Sequence, residues 1–355
     1  MILSSLYLQC FRSYTQRKFD FSPTTTIIIG PNTAGKTNLG EAVALLSSGK
    51  SFKGATDESL IHFGKDIGRI KALVLDVHTE KTTLEVVLVS SQYNGGRFGR
   101  KFLVNDVAKS RKNFVTHLPL VLFRPEELDI VIAGPSLRRN FLDDVLEQVD
   151  SAYATHMLSY TRALKQRNAL LRRVKETGQK SNEQFSYWDN LLITHGQYIA
   201  QSRAQFLQWV GEQQKDVIDF TVVYDDSKIS RERLDKYQDA EIGAGVTLVG
   251  PHRDDFLVFL DAIDSMPRDA KIYGSRGQQR LVVLQLKLLQ IAYIAEKLGQ
   301  KPLLFLDDIF SELDSGHIAL VLQKINGIQT IMTTTHKEFI PQDLLKKYSV
   351  IELHK

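Results

Sequence analysis

Apolar and polar positions come in short blocks over the first 125 residues and switch to helical spacing in the middle of the chain. The runs Thr26–Ile29, Ala72–Val77, Leu84–Val89 and Leu118–Phe123 read as strands, and Met1 to Gln9 as a short alternating one. Turns are predicted at Asn94-Gly95-Gly96 and around Asn105-Asp106, with one clear helix from about Lys36 to Ser47. From about Ser136 to Gln214, glycine and β-branched residues thin out. There Leu142, Val145, Leu146 and Val149 recur at the spacing of one helix face. The polar stretch Thr177 to Ser186 interrupts that pattern, which predicts the tip between two long antiparallel helices. The last hundred residues return to strands (Leu303–Leu306, Thr330–Met332) with helices between, and no internal repeat or low-complexity tract is visible.

This pattern predicts an α/β fold. A discontinuous domain is expected from residues 1–125 plus 245–355, with a mainly helical domain, 126–244, inserted and its arm tip near 177–186.

Composition narrows the picture. Of 355 residues, 43% are hydrophobic and 24% charged, so a packed core is expected. The net charge of +4 is compatible with nucleic acid but too weak to argue for it alone. Cys10 is the single cysteine, which excludes an intramolecular disulfide and a cysteine-rich zinc site. The most apolar stretch, Leu281 to Leu298, is broken by Gln285, Lys287, Gln290 and Glu296, which suits a buried helix better than a membrane span. No signal peptide is apparent, so a cytoplasmic protein without a membrane partner is expected.

The strongest chemical signal is Gly30-Pro31-Asn32-Thr33-Ala34-Gly35-Lys36-Thr37, which fits G-x-x-x-x-G-K-[ST] between a predicted strand and a predicted helix. Glycines let the backbone wrap closely, so that successive N–H groups and a helix N-terminus face phosphate oxygens. Lys36 is expected to reach the β- and γ-phosphates of ATP, and the Thr37 hydroxyl to ligate Mg2+, with Asn38 also in the binding set. Such a loop needs an acid for the metal. The apolar run Pro302–Leu306 ends in Asp307 and Asp308, which suits a buried parallel strand with its carboxylates at the tip. Asp307 is the expected Mg2+ partner, and Asp308 is placed to orient or deprotonate the attacking water.

Two further segments are less specific. Gly274-Ser275-Arg276-Gly277-Gln278 precedes the long apolar helix and could be an anion site or simply an N-cap. Ser311-Glu312-Leu313-Asp314 follows the acidic pair, and Ser311 too could be only a cap. The turn Gly250-Pro251-His252-Arg253-Asp254-Asp255 gathers a histidine and two carboxylates. With no second histidine at ligand spacing, a turn whose charges pair with neighbours is the better reading.

Taken together, P-loop, S-x-G-Q before a helix, LLFLDD and SELD resemble the ATP-binding-cassette (ABC) and SMC-like ATPases. More narrowly, the chain resembles the RecF family of bacterial recombination-repair proteins, from Leu6–Tyr14 through Leu128–Asp143, Leu164–Asn168 and Thr247–Phe256 to Thr333–His336. The resemblance implies an ABC/SMC-like head that closes a head-to-tail dimer over ATP. In it, Gly35, Lys36, Thr37, Asp307 and Asp308 of one copy face Ser275, Gly277 and Gln278 of the other. It places Ser311 and Asp314 at the dimer interface, His336 at the γ-phosphate, and Arg12 near the nucleotide. It further implies slow, DNA-stimulated hydrolysis, with Asp308, Lys36 and His336 as the catalytic set. The role it implies is DNA replication and repair at single-strand gaps, with RecR- and RecO-type mediators and the RecA recombinase as partners. Thr33 departs from the glycine of many relatives, and Asp308 replaces the glutamate of transporter-type cassettes.

Double-stranded or gapped DNA is the expected macromolecular ligand. Arg162, Lys165, Arg167, Arg172 and Arg173 crowd the first long helix of the arm, and Arg97, Arg100 and Lys101 sit in a predicted hairpin. A solvated helix face is the plain alternative for such a run. A transporter ATPase subunit and a non-hydrolysing scaffold are the rival functions.

Overall fold

The computed structural model describes residues 1–53, 57–76, 78–179, 181–263, 266–308, 315–335, 337–340 and 347–354. They pack as two units, Met1–Glu127 with Gln290–Lys355, and Leu128–Leu289. Residues 245–289, which the sequence pattern grouped with the chain ends, pack in the second unit. Their strand Asp255–Ile263 pairs there with Phe220–Asp225 and with Met266–Asp269.

The first unit contains two sheets. One is five-stranded and parallel, in the order Ser349–Glu352, Thr25–Ile29, Thr330–Thr334, Leu303–Asp307, Leu120–Phe123. Its three central strands are buried at every position, which explains their unbroken apolar character in sequence. In register, Leu306 lies between Met332 and Phe123, and Thr334 lies beside Ile29. The carboxyl ends of four strands therefore reach one edge, where loops of an α/β sheet carry chemistry.

The other sheet is six-stranded and antiparallel: Tyr14–Asp20, Ile2–Phe11, Ile67–Leu75, Lys81–Val89, Gly99–Val104, Val107–Lys109. Ile67–Leu75 alternates buried and accessible positions, as a sheet with one face on a core does. The last hairpin turns at Asn105 and Asp106, both with positive φ, the geometry that suits a two-residue turn.

The helix Lys36–Ser48 contributes to one core with both sheets, in which Leu39 and Leu45 join Leu6, Leu84 and Phe305. Ten of its 13 residues are buried, so it lacks the polar face of a surface helix. Gly40 lets it approach the acidic strand, since a Cβ there would lie 2.7 Å from the Phe305 ring. Its last carbonyls are bound by cations: Arg111 Nε donates to Ser48 O, and Arg100 Nη1 to Gly49 O, each at 2.8 Å.

In the second unit, Ser151–Thr177 and Asn182–Glu212 form the long helical pair. The tip is shorter than predicted. Gly178, with φ +68, closes the first helix, and Ser181 caps the second, so the polar residues after it begin a helix instead of extending a loop. The helices Pro135–Val149 and Arg231–Ala244 pack alongside.

Candidate nucleotide site

The strand Thr25–Ile29 delivers Gly30 to the open edge of the parallel sheet, and Lys36 begins the buried helix. Thr33 has φ +76 and Gly35 φ +99, the left-handed region that glycine enters without steric cost. Thr33, a β-branched residue, carries strain in that region. Lys36 is buried and donates to Gly30 O at 2.6 Å and Pro31 O at 3.0 Å. Burial lowers its pKa, against the pull of Asp308 and Asp307.

Asp307 is buried at the end of its strand and accepts a 2.5 Å hydrogen bond from Thr333. Its carboxyl is raised by burial, an effect opposed by hydrogen bonds from Thr333 and Thr37. Thr37 and Asp307, the two expected Mg2+ partners, line the same cavity. Asp308 has φ +52, and its N–H reaches the Thr333 carbonyl and hydroxyl, both at 3.1 Å.

Thr37, Asp307 and Asp308 line one cavity of about 310 Å³, together with Asn32, Thr33, Gly35, Lys36 and Asn38; Gly30, Pro31 and Ala34 are not among its lining residues. Lys53, Pro125, Glu126 and Thr335 also line it and were missed from sequence. The parallel register explains the middle pair: Phe123 lies beside Leu306, so the chain leaving that edge strand passes next to Asp307. Lys53 bonds Asn38 Oδ1 at 2.7 Å, and no motif marks it. All metal donors here are hard oxygens. Among the described residues, no three His, Cys, Asp or Glu converge to cage a metal. The oxygens of Thr37 and Asp307 suit Mg2+, which takes one or two protein oxygens and completes its shell with water and phosphate.

Arg12, expected near the nucleotide, pairs with the P-loop helix. It is not among the lining residues; its guanidinium forks onto buried Glu41 at 2.8 and 2.6 Å and also binds Ser59. Ser275, Gly277 and Gln278 belong to the second unit and do not line the cavity. Ser275 and Gln278 form a reciprocal capping box, with Gln278 N to Ser275 Oγ at 3.2 Å and Ser275 N to Gln278 Oε1 at 3.0 Å. Ser275 and Gly277 remain exposed. Ser311, Asp314 and His336 lie outside the described residues.

Two residues expected to bind DNA are otherwise engaged. Arg167 is completely buried, binding Asp189 at 2.6 Å and Glu241 at 2.7 Å, because its position on the arm helix faces the partner helices. Arg100 is spent on Gly49 O and Asp57. By contrast Arg97, Lys101, Arg162, Lys165, Arg172 and Arg173 are exposed. The carboxylates of the Gly250–Asp255 turn pair with neighbouring elements: Asp254 accepts from Arg203 and Tyr224, and Asp255 from Arg138.

A strand–P-loop–buried-helix unit, with a strand-end acid lining one cavity beside the loop's lysine and threonine, defines a P-loop ATPase head. The chain belongs to the RecF/RecN/SMC N-terminal domain family, whose sequence profile matches residues 2–352. Within that family it is similar to the DNA replication and repair protein RecF of Moorella thermoacetica, 34% identical over 99% of this chain and 94% of the relative. The RecF protein of Bacillus cytotoxicus is 31% identical over 99% and 97%. A solved structure of the recombination mediator protein RecF of the RecFOR pathway, in a form described as RecF-ATPrS, matches with TM-score 0.87 at 28% identity, over 99% of this chain and 96% of that one. A RecF-ATP form matches with TM-score 0.86.

Proposed function

We propose that this protein is a DNA-dependent ATPase of recombinational repair whose nucleotide state sets its dimerisation on DNA. The observation that carries the reading is Asp307, held by Thr333 and lining a P-loop cavity with Lys36 and Thr37, in a chain of the RecF family. RecF proteins with bound ATP forms, described as recombination mediators, support the nucleotide and the pathway.

Lys36 leaves the Gly30 and Pro31 carbonyls for the β- and γ-phosphate oxygens, which are better acceptors for an ammonium group. Thr37 and Asp307 would hold Mg2+, which would supply charge neutralisation at the phosphoryl group. Asp308 orients the attacking water and takes its proton. The exposed Ser275–Gln278 helix start, with its backbone N–H groups and positive dipole end, supplies the surface that a second copy's triphosphate meets. His336 completes that set at the γ-phosphate, and Ser311 and Asp314 sit at the dimer contact. Arg97, Lys101, Arg162, Lys165, Arg172 and Arg173 track the backbone of double-stranded or gapped DNA in the cytoplasm. Closure by ATP, slow hydrolysis and release would then gate loading of the RecA recombinase with RecR- and RecO-type mediators.

The test is steady-state ATPase activity against protein concentration, with and without gapped duplex. Activity per subunit should rise with concentration and with DNA, and vanish in Lys36→Ala. A flat, DNA-insensitive rate would overturn the gating.

A further inference from the structure

Three consecutive residues of the antiparallel sheet's first turn each grip one residue of the phosphate-loop helix. Tyr14 Oη donates to Gly35 O at 3.1 Å, in a buried setting. Ser13 Oγ accepts from Asn38 Nδ2 at 2.9 Å. Arg12 forks onto Glu41. The gripped positions are 35, 38 and 41, three apart, so they stack on one face of the helix. The two segments run antiparallel, pairing 14 with 35, 13 with 38 and 12 with 41.

We propose that the Arg12–Ser13–Tyr14 turn is a positioning clamp that holds the phosphate loop in its anion-receiving conformation before nucleotide arrives. A loop can aim its N–H groups at phosphate only if its carbonyls are turned and satisfied elsewhere. Here Lys36 satisfies Gly30 and Pro31, and Tyr14 adds a second donor to the Gly35 carbonyl, which already accepts from Leu39 N at 2.9 Å. The fit is close: a Cβ on Gly35 would stand 2.7 Å from Tyr14 Oη. The clamp is itself held firmly. The Tyr14 ring meets Phe19 edge-on at 5.8 Å, and Arg12 adopts φ +49 to present its guanidinium to Glu41, which is wholly buried. Tyr14 stays a neutral donor through the physiological range, because burial pushes its hydroxyl up to about 12. The contacts of the three side chains are with the loop and its helix, at Gly35, Asn38 and Glu41.

The inference rests on the ATP-binding reading, and the experiment separates the two. A fluorescent ATP analogue with Mg2+ is followed by stopped flow on full-length wild type, Tyr14→Phe, Ser13→Ala and Lys36→Ala. Tyr14→Phe keeps the ring packing and removes one donor. A loop that leaves its competent form slows association and spares dissociation, because only the competent fraction binds. Tyr14→Phe should lower the association rate roughly three- to tenfold, the worth of one hydrogen bond, with dissociation and melting temperature unchanged. Ser13→Ala should do the same more weakly. Association within twofold of wild type in both variants overturns the clamp, as does a change confined to dissociation. Absence of binding by wild type, indistinguishable from Lys36→Ala, overturns the ATP reading itself and the clamp with it.

Discussion

The Thr333 hydroxyl donates a 2.5 Å hydrogen bond to the Asp307 carboxylate and so joins the tips of two adjacent parallel strands. Removing it by Thr333→Val leaves a buried acid short of one donor, at a cost of about 1–3 kcal/mol. The Asp307 carboxyl, already raised by burial, rises further and favours the neutral form. ATP affinity in Mg2+ should fall several-fold, while affinity measured in EDTA should change little. Equal losses under both conditions would place Asp307 outside the metal's reach.

Buried and exposed arginines of the arm helix should separate cleanly. Arg167→Ala strands Glu241 in the interior and leaves Asp189 with Arg231 alone, and should destabilise the second unit by about 3–5 kcal/mol, read as a lower urea midpoint. Arg172→Glu with Arg173→Glu should leave that midpoint nearly unchanged. DNA affinity should drop, and the slope of log affinity against log salt should become shallower by about 2, near 0.9 for each lost phosphate contact. An unaltered salt slope would remove this helix from the DNA surface.

His252 sets a pH dependence. Its ring is enclosed between the Tyr160 hydroxyl and the Thr247 carbonyl, and burial lowers its pKa to about 4. The unfolded chain binds this proton near the ordinary value of about 6.5, so the unfolded state holds more protons between the two. Stability is therefore full above pH 6.5 and declines as pH falls towards 4, by about 1.4 kcal/mol per unit. Urea midpoints from pH 7 to 4.5 should show this decline, and His252→Gln should flatten it. Parallel curves for the two proteins would assign the acid sensitivity to other groups.

Gly40→Ala tests the contact between the P-loop helix and the acidic strand. The added methyl meets the Phe305 ring, and overpacking of this kind costs about 1–3 kcal/mol. The same shift moves Asp307 away from Thr37, so ATP affinity should fall along with the melting temperature. A variant of wild-type affinity and stability would mean that the helix has room to retreat.

The local physics of the phosphate loop was legible in sequence because each residue there answers a backbone demand that only one or two side chains meet. Strand–loop–helix order, Gly35, Lys36, Thr37 and Asp307 all follow from that. Lys53 and Glu126 were not legible. They reach the cavity through tertiary register, the one by a bond to Asn38 and the other by its strand's place beside Leu303–Asp307. Arg167 and Arg100 misled for the opposite reason. A cation in a basic run looks solvated until its partners, here Asp189, Glu241, Gly49 and Asp57, arrive from distant sequence. The strand predicted at Ala72–Val77 begins five residues earlier, at Ile67, and ends at Leu75, since Arg69 and Lys71 take the accessible face without breaking the alternation.

Glu41 lies wholly enclosed beneath Arg12, on a helix that both sheets surround. Such a helix has no route to solvent short of dismantling the unit, so its amide hydrogens should exchange only through global opening. The phosphate loop thereby draws its rigidity from the folding free energy of the whole first unit, and not from its own seven or eight residues. Bound nucleotide would accordingly slow exchange throughout that unit, far beyond the atoms it touches.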